Sequence, residues 1–82
     1  MIQTRKEMKQ LLKSSCRRVL QDVIDDVGLN EEEIKLFKAR YIDERSVPVT
    51  CIILHCGTNK FNNMHNRILD KIRSHFNRII YP

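Results

Sequence analysis

Apolar residues recur every three or four positions along most of this chain, with charged and amide side chains between them. Met8, Leu11, Leu12, Cys16, Val19, Leu20, Val23, Ile24 and Val27 keep that rhythm without a break, which predicts one long amphipathic helix over residues 4–27. Thr4 is its expected N-cap, with Glu7 as capping-box partner, and Gly28, which tolerates positive φ, is its expected end. Met1 to Gln3 are expected to be loose. A second helix should open at Asn30 and run to about Ile42, burying Ile34, Phe37 and Tyr41. Glu33 completes its capping box, and Leu29 and Ile34 form a hydrophobic staple across the start. Glu31, Glu32 and Glu33 complement the positive end of that helix, so the acidic triplet needs no catalytic or metal-binding explanation.

The next segment is less one-sided. Ser46 is an N-cap candidate, and Pro48 falls in the first turn, where its missing N–H does no harm. The apolar run over residues 47–55 is rich in β-branched side chains and also reads as a buried strand. A strand would need a partner, and no second strand-like run exists in the chain, so only a copy of itself in a dimer would serve; helix is the expectation. Gly57 is expected to make the corner and Thr58 to cap a last helix over about residues 58–77. Phe61, Met64, Ile68 and Ile72 share one face of it, and the rhythm continues through Phe76 and Ile79. Tyr81 and Pro82 should fray. The whole is an all-α fold: a small helical bundle of about four helices in a single domain, with residues 29–77 forming a helix-turn-helix region and residues 4–27 a support or dimerisation helix.

Composition narrows the class. Eighty-two residues with two Gly, two Pro and no low-complexity tract suit one small helical domain. Neither an apolar run of about 18 residues nor a signal-peptide pattern is present, so a membrane or secreted fate is not expected. Cys16, Cys51 and Cys56 make an odd number and are expected to be reduced thiols in a cytoplasm, with Cys16 and Cys51 as small core residues. Cys51, His55 and Cys56 lie within one short segment, without the second ligand pair that structural zinc normally needs. No cofactor is expected. His55, His65 and His75 stand ten apart, which is not a helical contact spacing.

Charge is unevenly spread. Residues 1–18 carry six basic groups and one acid, residues 19–45 four and eight, and residues 46–82 five and one, for a net charge of +5. Two basic ends around an acidic middle let folding gather positive charge on one side, as a polyanion binder needs. On residues 4–27, cations come early and acids late, against the helix macrodipole, so stabilising that helix does not explain them. The last helix carries the sharper signal. Asn59, Lys60, Asn62, Asn63, Asn66 and Arg67 occupy its first turns away from the apolar face, although asparagine is a weak helix former. Amide and guanidinium groups reach base edges with paired hydrogen bonds, asparagine to adenine and arginine to guanine.

Residues 29–73 also carry a resemblance. The stretch LNEEEIKLFKARYIDERS, with Arg40, Tyr41, Ile42 and Asp43 followed by Ser46, resembles the first helices of sigma factor region four. Ser46, Leu54, Phe61, Ile68, Leu69, Lys71 and Ile72 fall in register with that family's cap, core and terminal positions, and the similarity extends to small phage regulators of the ArpU type. The departures are His55 where the family has a turn glycine, Gly57 where it has a capping Ser or Thr, and Thr50-Cys51 in place of an Ile-Ala pair; they imply a displaced turn or a degraded DNA-reading function. The resemblance implies sequence-specific binding of double-stranded DNA at promoters or operators, with RNA polymerase as a further contact. It places base reading and phosphate contact on Thr58, Asn59, Lys60, Asn62, Asn63, Asn66 and Arg67.

The expected function is a DNA-binding transcriptional regulator of a phage or mobile element, acting in the cytoplasm of a bacterial or phage-infected cell, with a homodimer as a natural supplement to so small a core. The competing expectation is a protein-interaction module on a sigma-like scaffold, binding RNA polymerase or a host factor. An enzyme is not expected, because no nucleophile–base arrangement and no phosphate-cradling glycine loop can be found.

Overall fold

A computed structural model describes residues 2–80, with the side chains of Ile79 and Ile80 left aside. The fold is all-α: α1 (Arg5–Ser14), α2 (Arg17–Val27), α3 (Glu31–Phe37) continuing into a π-helical turn (Lys38–Ile42), α4 (Val47–Leu54) and α5 (Thr58–Ile80). No strand occurs among the described residues, so residues 47–54 are helical. Met1, Tyr81 and Pro82 lie outside the described residues, as does the side chain of Ile79.

The helix expected over residues 4–27 is two helices. At Ser15 the backbone turns extended (φ −83°, ψ 146°), and Cys16 opens α2 without a side-chain cap bond. The serine hydroxyls bond back into the last turn of α1 at the break. Ser14 Oγ donates to the carbonyls of Gln10 and Leu11, and Ser15 Oγ donates to Leu11 O at 2.7 Å, so side chains satisfy carbonyls that the next helical turn would have used. The break rotates the faces: Cys16 is exposed rather than core, and Leu11 and Val19 are partly exposed. It also mends half of the dipole mismatch, because α1 now has Glu7 in its first turn and Lys13 in its last.

Caps fix the other starts. Asn30 and Glu33 form the reciprocal capping box, at 3.0 and 2.9 Å. Thr4 accepts from the Glu7 amide, but the Glu7 carboxylate turns to the Gln3 amide instead of closing the box. Ser46 accepts from the Val49 amide, and its carbonyl takes the Thr50 hydroxyl at 2.8 Å, burying Thr50 completely. Ile2 and Gln3 are not loose: Asn77 clasps both backbone groups of Ile2, and Arg73 donates to Gln3 O.

One core joins four of the helices: Met8 and Leu12 of α1, Leu20, Val23 and Ile24 of α2, Leu36 and Phe37 of α3, Tyr41 of the π-turn, and Phe61, Met64, Ile68, Leu69 and Ile72 of α5; α4 packs against it through the partly buried Val47, Cys51 and Leu54. The wide turn, with Asp43 N–H on Lys38 O at 2.8 Å, shifts the register and buries Ala39 and Tyr41. Glu33 is buried too, and Lys71 of α5 meets it at 2.8 Å.

The corner between α4 and α5 is made by His55, not Gly57. His55 is left-handed (φ 53°); its amide donates to Ile52 O, and the Cys56 amide donates to Cys51 O at 3.1 Å, the paired bonds of a Schellman end. Gly57 has no positive φ, and its carbonyl accepts the Phe61 amide, so it occupies the N-cap position expected for Thr58. The corner thus lies two residues before the expected Gly57, and a residue with a Cβ holds the strained position. Left-handed backbone costs an L-residue about 1–2 kcal/mol, so His55→Gly should stabilise the fold by about 1 kcal/mol after glycine's greater unfolded freedom is counted. Thermal unfolding would show a midpoint raised by several degrees, whereas His55→Val should lower it.

Candidate nucleic-acid interface

Two features of α5 set its chemistry: a buried side that anchors it and an open side that the fold does not use. Phe61, Met64, His65, Ile68, Leu69 and Ile72 face the core. Asn59, Asn63 and Asn66 follow one another at helical spacing on the opposite side, with Thr58, Lys60, Asn62 and Arg67 beside them. Asn66 is half-buried and the other six are exposed. Among the described residues, none of the seven side chains makes a hydrogen bond or ion pair with another part of the chain.

The start of α5 differs electrically from the start of α3. Three glutamates sit in the first turn of α3, whereas α5 has no acid in its first turn and carries Lys60 there. The unpaired N–H groups and dipole of α5 are thus left facing outward without a carboxylate, a favourable setting for an external anion. Farther along α5, Asp70 ends this character by binding Arg5 at 2.8 Å and Arg73 at 3.5 Å. The Arg5 hydrogen bond holds the Asp70 carboxyl below its ordinary range, against a smaller opposing effect of burial, with the Arg5 and Arg73 charges assisting. Part of the basic amino-terminal segment is therefore spent on the fold.

Other cations gather beside His65. A hydrogen bond of 2.6 Å joins its Nε2 to the Tyr41 hydroxyl, and the rings of Tyr41 and Phe61 lie 5.7 and 5.4 Å from its own. Burial first, then the nearby charges of Lys9, Arg40 and Lys13, push the His65 pKa down to about 4. Burial pushes Tyr41 up to about 12, opposed by Arg40. Lys13, Arg40, Tyr41 and Glu44 line a cleft of about 280 Å³ next to this pair. Sequence reasoning passed over His65; its signal was its place one turn after Phe61 on the buried face of α5. For Glu33, burial works to raise the carboxyl, but the Lys71 hydrogen bond, the Asn30 amide and the charges of Lys71 and Arg67 together hold it low.

The outer side of α4 was also not foreseen. The helix is apolar all round, and only part of it is covered: Val49 is 39% exposed, Ile53 46% and Ile52 72%. Spaced at i, i+3 and i+4, these three form an apolar ridge next to the turn into α5. No helix among the described residues is long and apolar enough to cross a membrane. Comparison with family models, curated proteins and solved structures found no match to this chain.

Proposed function

We propose that this chain binds double-stranded DNA as a transcriptional regulator, with α4 and α5 acting as a helix-turn-helix and the open side of α5 entering the major groove. The observation that carries this reading is the amide-and-cation face of α5, exposed except at the half-buried Asn66, without a hydrogen bond or ion pair to the rest of the described chain, and free of acids in its first turn. Lys60 and Arg67 supply phosphate attraction, and Asn59, Asn62, Asn63 and Asn66 supply base-edge contacts. Thr58, at the first helical position, lies where a backbone phosphate meets the helix start. A second copy of the chain would read a palindromic site, a single copy a non-palindromic one.

Titration of labelled duplexes followed by anisotropy tests the reading. Replacing Asn62 and Asn63 together by alanine should remove about 1–3 kcal/mol of base discrimination for each bidentate amide–base pair, with little change on random sequence. Lys60→Ala should weaken binding on all sequences alike and reduce the salt slope by about 1. Equal effects of the two variants on every duplex would remove the division of labour between reading and anchoring.

The apolar ridge on α4 favours a second reading, in which the same scaffold binds a protein such as RNA polymerase or a host factor. Exposed apolar surface of this kind often marks a protein interface. Ile52→Glu should then abolish nuclease-resistant capture of that partner while DNA affinity stays unchanged.

A further inference from the structure

The Schellman end of α4 carries an unusual pair. In this motif the residue that donates the 6→1 bond and the residue that accepts it commonly bring apolar side chains into contact. Here both are cysteine: the Cys56 amide donates to Cys51 O at 3.1 Å. That bond keeps the two Cα atoms no more than about 7 Å apart, the outer limit of what a disulfide spans. Both side chains are half-buried, so both are open to a small reagent, and the left-handed His55 between them turns the chain back toward the helix.

We infer that Cys51 and Cys56 form an intramolecular disulfide that clamps the turn between α4 and α5, made by exchange with a low-molecular-weight disulfide. The thiols lie close enough to affect each other: burial, then the charge and hydrogen bonding of Cys56, push the Cys51 thiol up. Either thiol can open the exchange; in one order Cys56 attacks first. Its thiolate attacks one sulfur of the small disulfide, the S–S bond breaks, and one small thiolate leaves and takes a proton. Cys51 loses its proton to solvent and attacks the Cys56 sulfur; the protein S–S bond forms and the second small thiol is released. Two protein thiols are oxidised and one disulfide is reduced to two thiols. The site is independent of what α5 binds, and it lies in the segment that mounts α5.

The test equilibrates the chain in glutathione redox buffers, folded and in guanidinium, then quenches with acid and maps peptides by mass. Cys16→Ser removes the third, exposed thiol; the unsubstituted chain at low concentration, mapped in the same way, gives the answer if that variant fails to fold. The expected result is a peptide linking Cys51 and Cys56, favoured at least tenfold in the folded chain over the denatured one, a shift of about 30 mV. Cys51→Ser and Cys56→Ser should each stop at a mixed disulfide with one glutathione. A bridge no more favoured in the folded chain than in guanidinium would overturn the inference. So would folded protein carrying separate glutathiones on the two cysteines.

Discussion

Phe61→Ala is expected to cost about 3–5 kcal/mol of folding stability, the usual range for emptying a buried phenylalanine site. Phe61 is 1% exposed and lies in the first turn of α5, with its ring against His65. Met64, Ile68, Leu69 and Ile72 continue the same anchored side, so relaxation around the cavity is limited. A domain of this size has a total stability of roughly 4–12 kcal/mol, so the variant should be close to unfolding at room temperature. Asn63→Ala, on the opposite side of the same helix, should do the reverse. It removes a weak helix former from an exposed position and should raise stability by up to about 0.7 kcal/mol. Urea unfolding measures both. A loss below about 1 kcal/mol for Phe61→Ala would mean that the start of α5 is not seated in the core.

Acidification from pH 7 to pH 4 is expected to remove about 3 kcal/mol through His65 alone. In the unfolded chain this histidine takes its proton near 6.5; in the fold, burial and the charges of Lys9, Arg40 and Lys13 delay that to about 4. Between those values the unfolded state binds more protons, so stability rises with pH. The contribution is complete above pH 6.5 and is lost as pH falls toward 4. Glu33 and Asp70 act in a lower window: their folded carboxyls are held below the ordinary values of 4.5 and 3.8, so their contributions are lost only as pH falls beyond those values. His65→Gln keeps a group able to bond the Tyr41 hydroxyl and removes the titration. Its urea midpoint should therefore be nearly flat between pH 6.5 and 4.5, where the parent chain declines. Parallel declines would assign the acid sensitivity to other groups.

Much of the framework could be read from residue types, because caps and amphipathic faces are local. Asn30 and Glu33 state their box in four residues, Ser46 and Pro48 state a helix start, and Phe61, Met64, Ile68 and Ile72 state a face. The misses arise where a local detail changes the phase of the chain. Apolar spacing runs straight through Ser14, Ser15 and Cys16, yet the helix ends there, where two hydroxyls bond back to the Leu11 and Gln10 carbonyls. The π-turn over Lys38–Ile42 brings Ala39 inward together with Tyr41, a change of register that apolar spacing does not announce. His65 was missed because a polar residue does not count in an apolar pattern, even where geometry buries it against Tyr41. Gly57 looked like the corner because glycine is the usual left-handed residue, but the 6→1 bond to Cys51 requires that conformation one residue before Cys56. Of the seven candidate residues of α5, Asn59, Asn63 and Asn66 lie opposite the core and Thr58, Lys60, Asn62 and Arg67 flank them; six are exposed and Asn66 is partly covered.

The central claim is that this open side of α5 meets nucleic acid. It is tested most directly by anisotropy of a labelled random-sequence duplex at low salt, repeated as salt is raised, for the parent chain and for a Lys60→Ala, Arg67→Ala double variant. The account predicts saturable binding that weakens steeply with salt, and a double variant with lower affinity and a salt slope smaller by about 2. Absence of binding by the parent chain at low salt would contradict it, and so would a double variant that binds as tightly with the same slope.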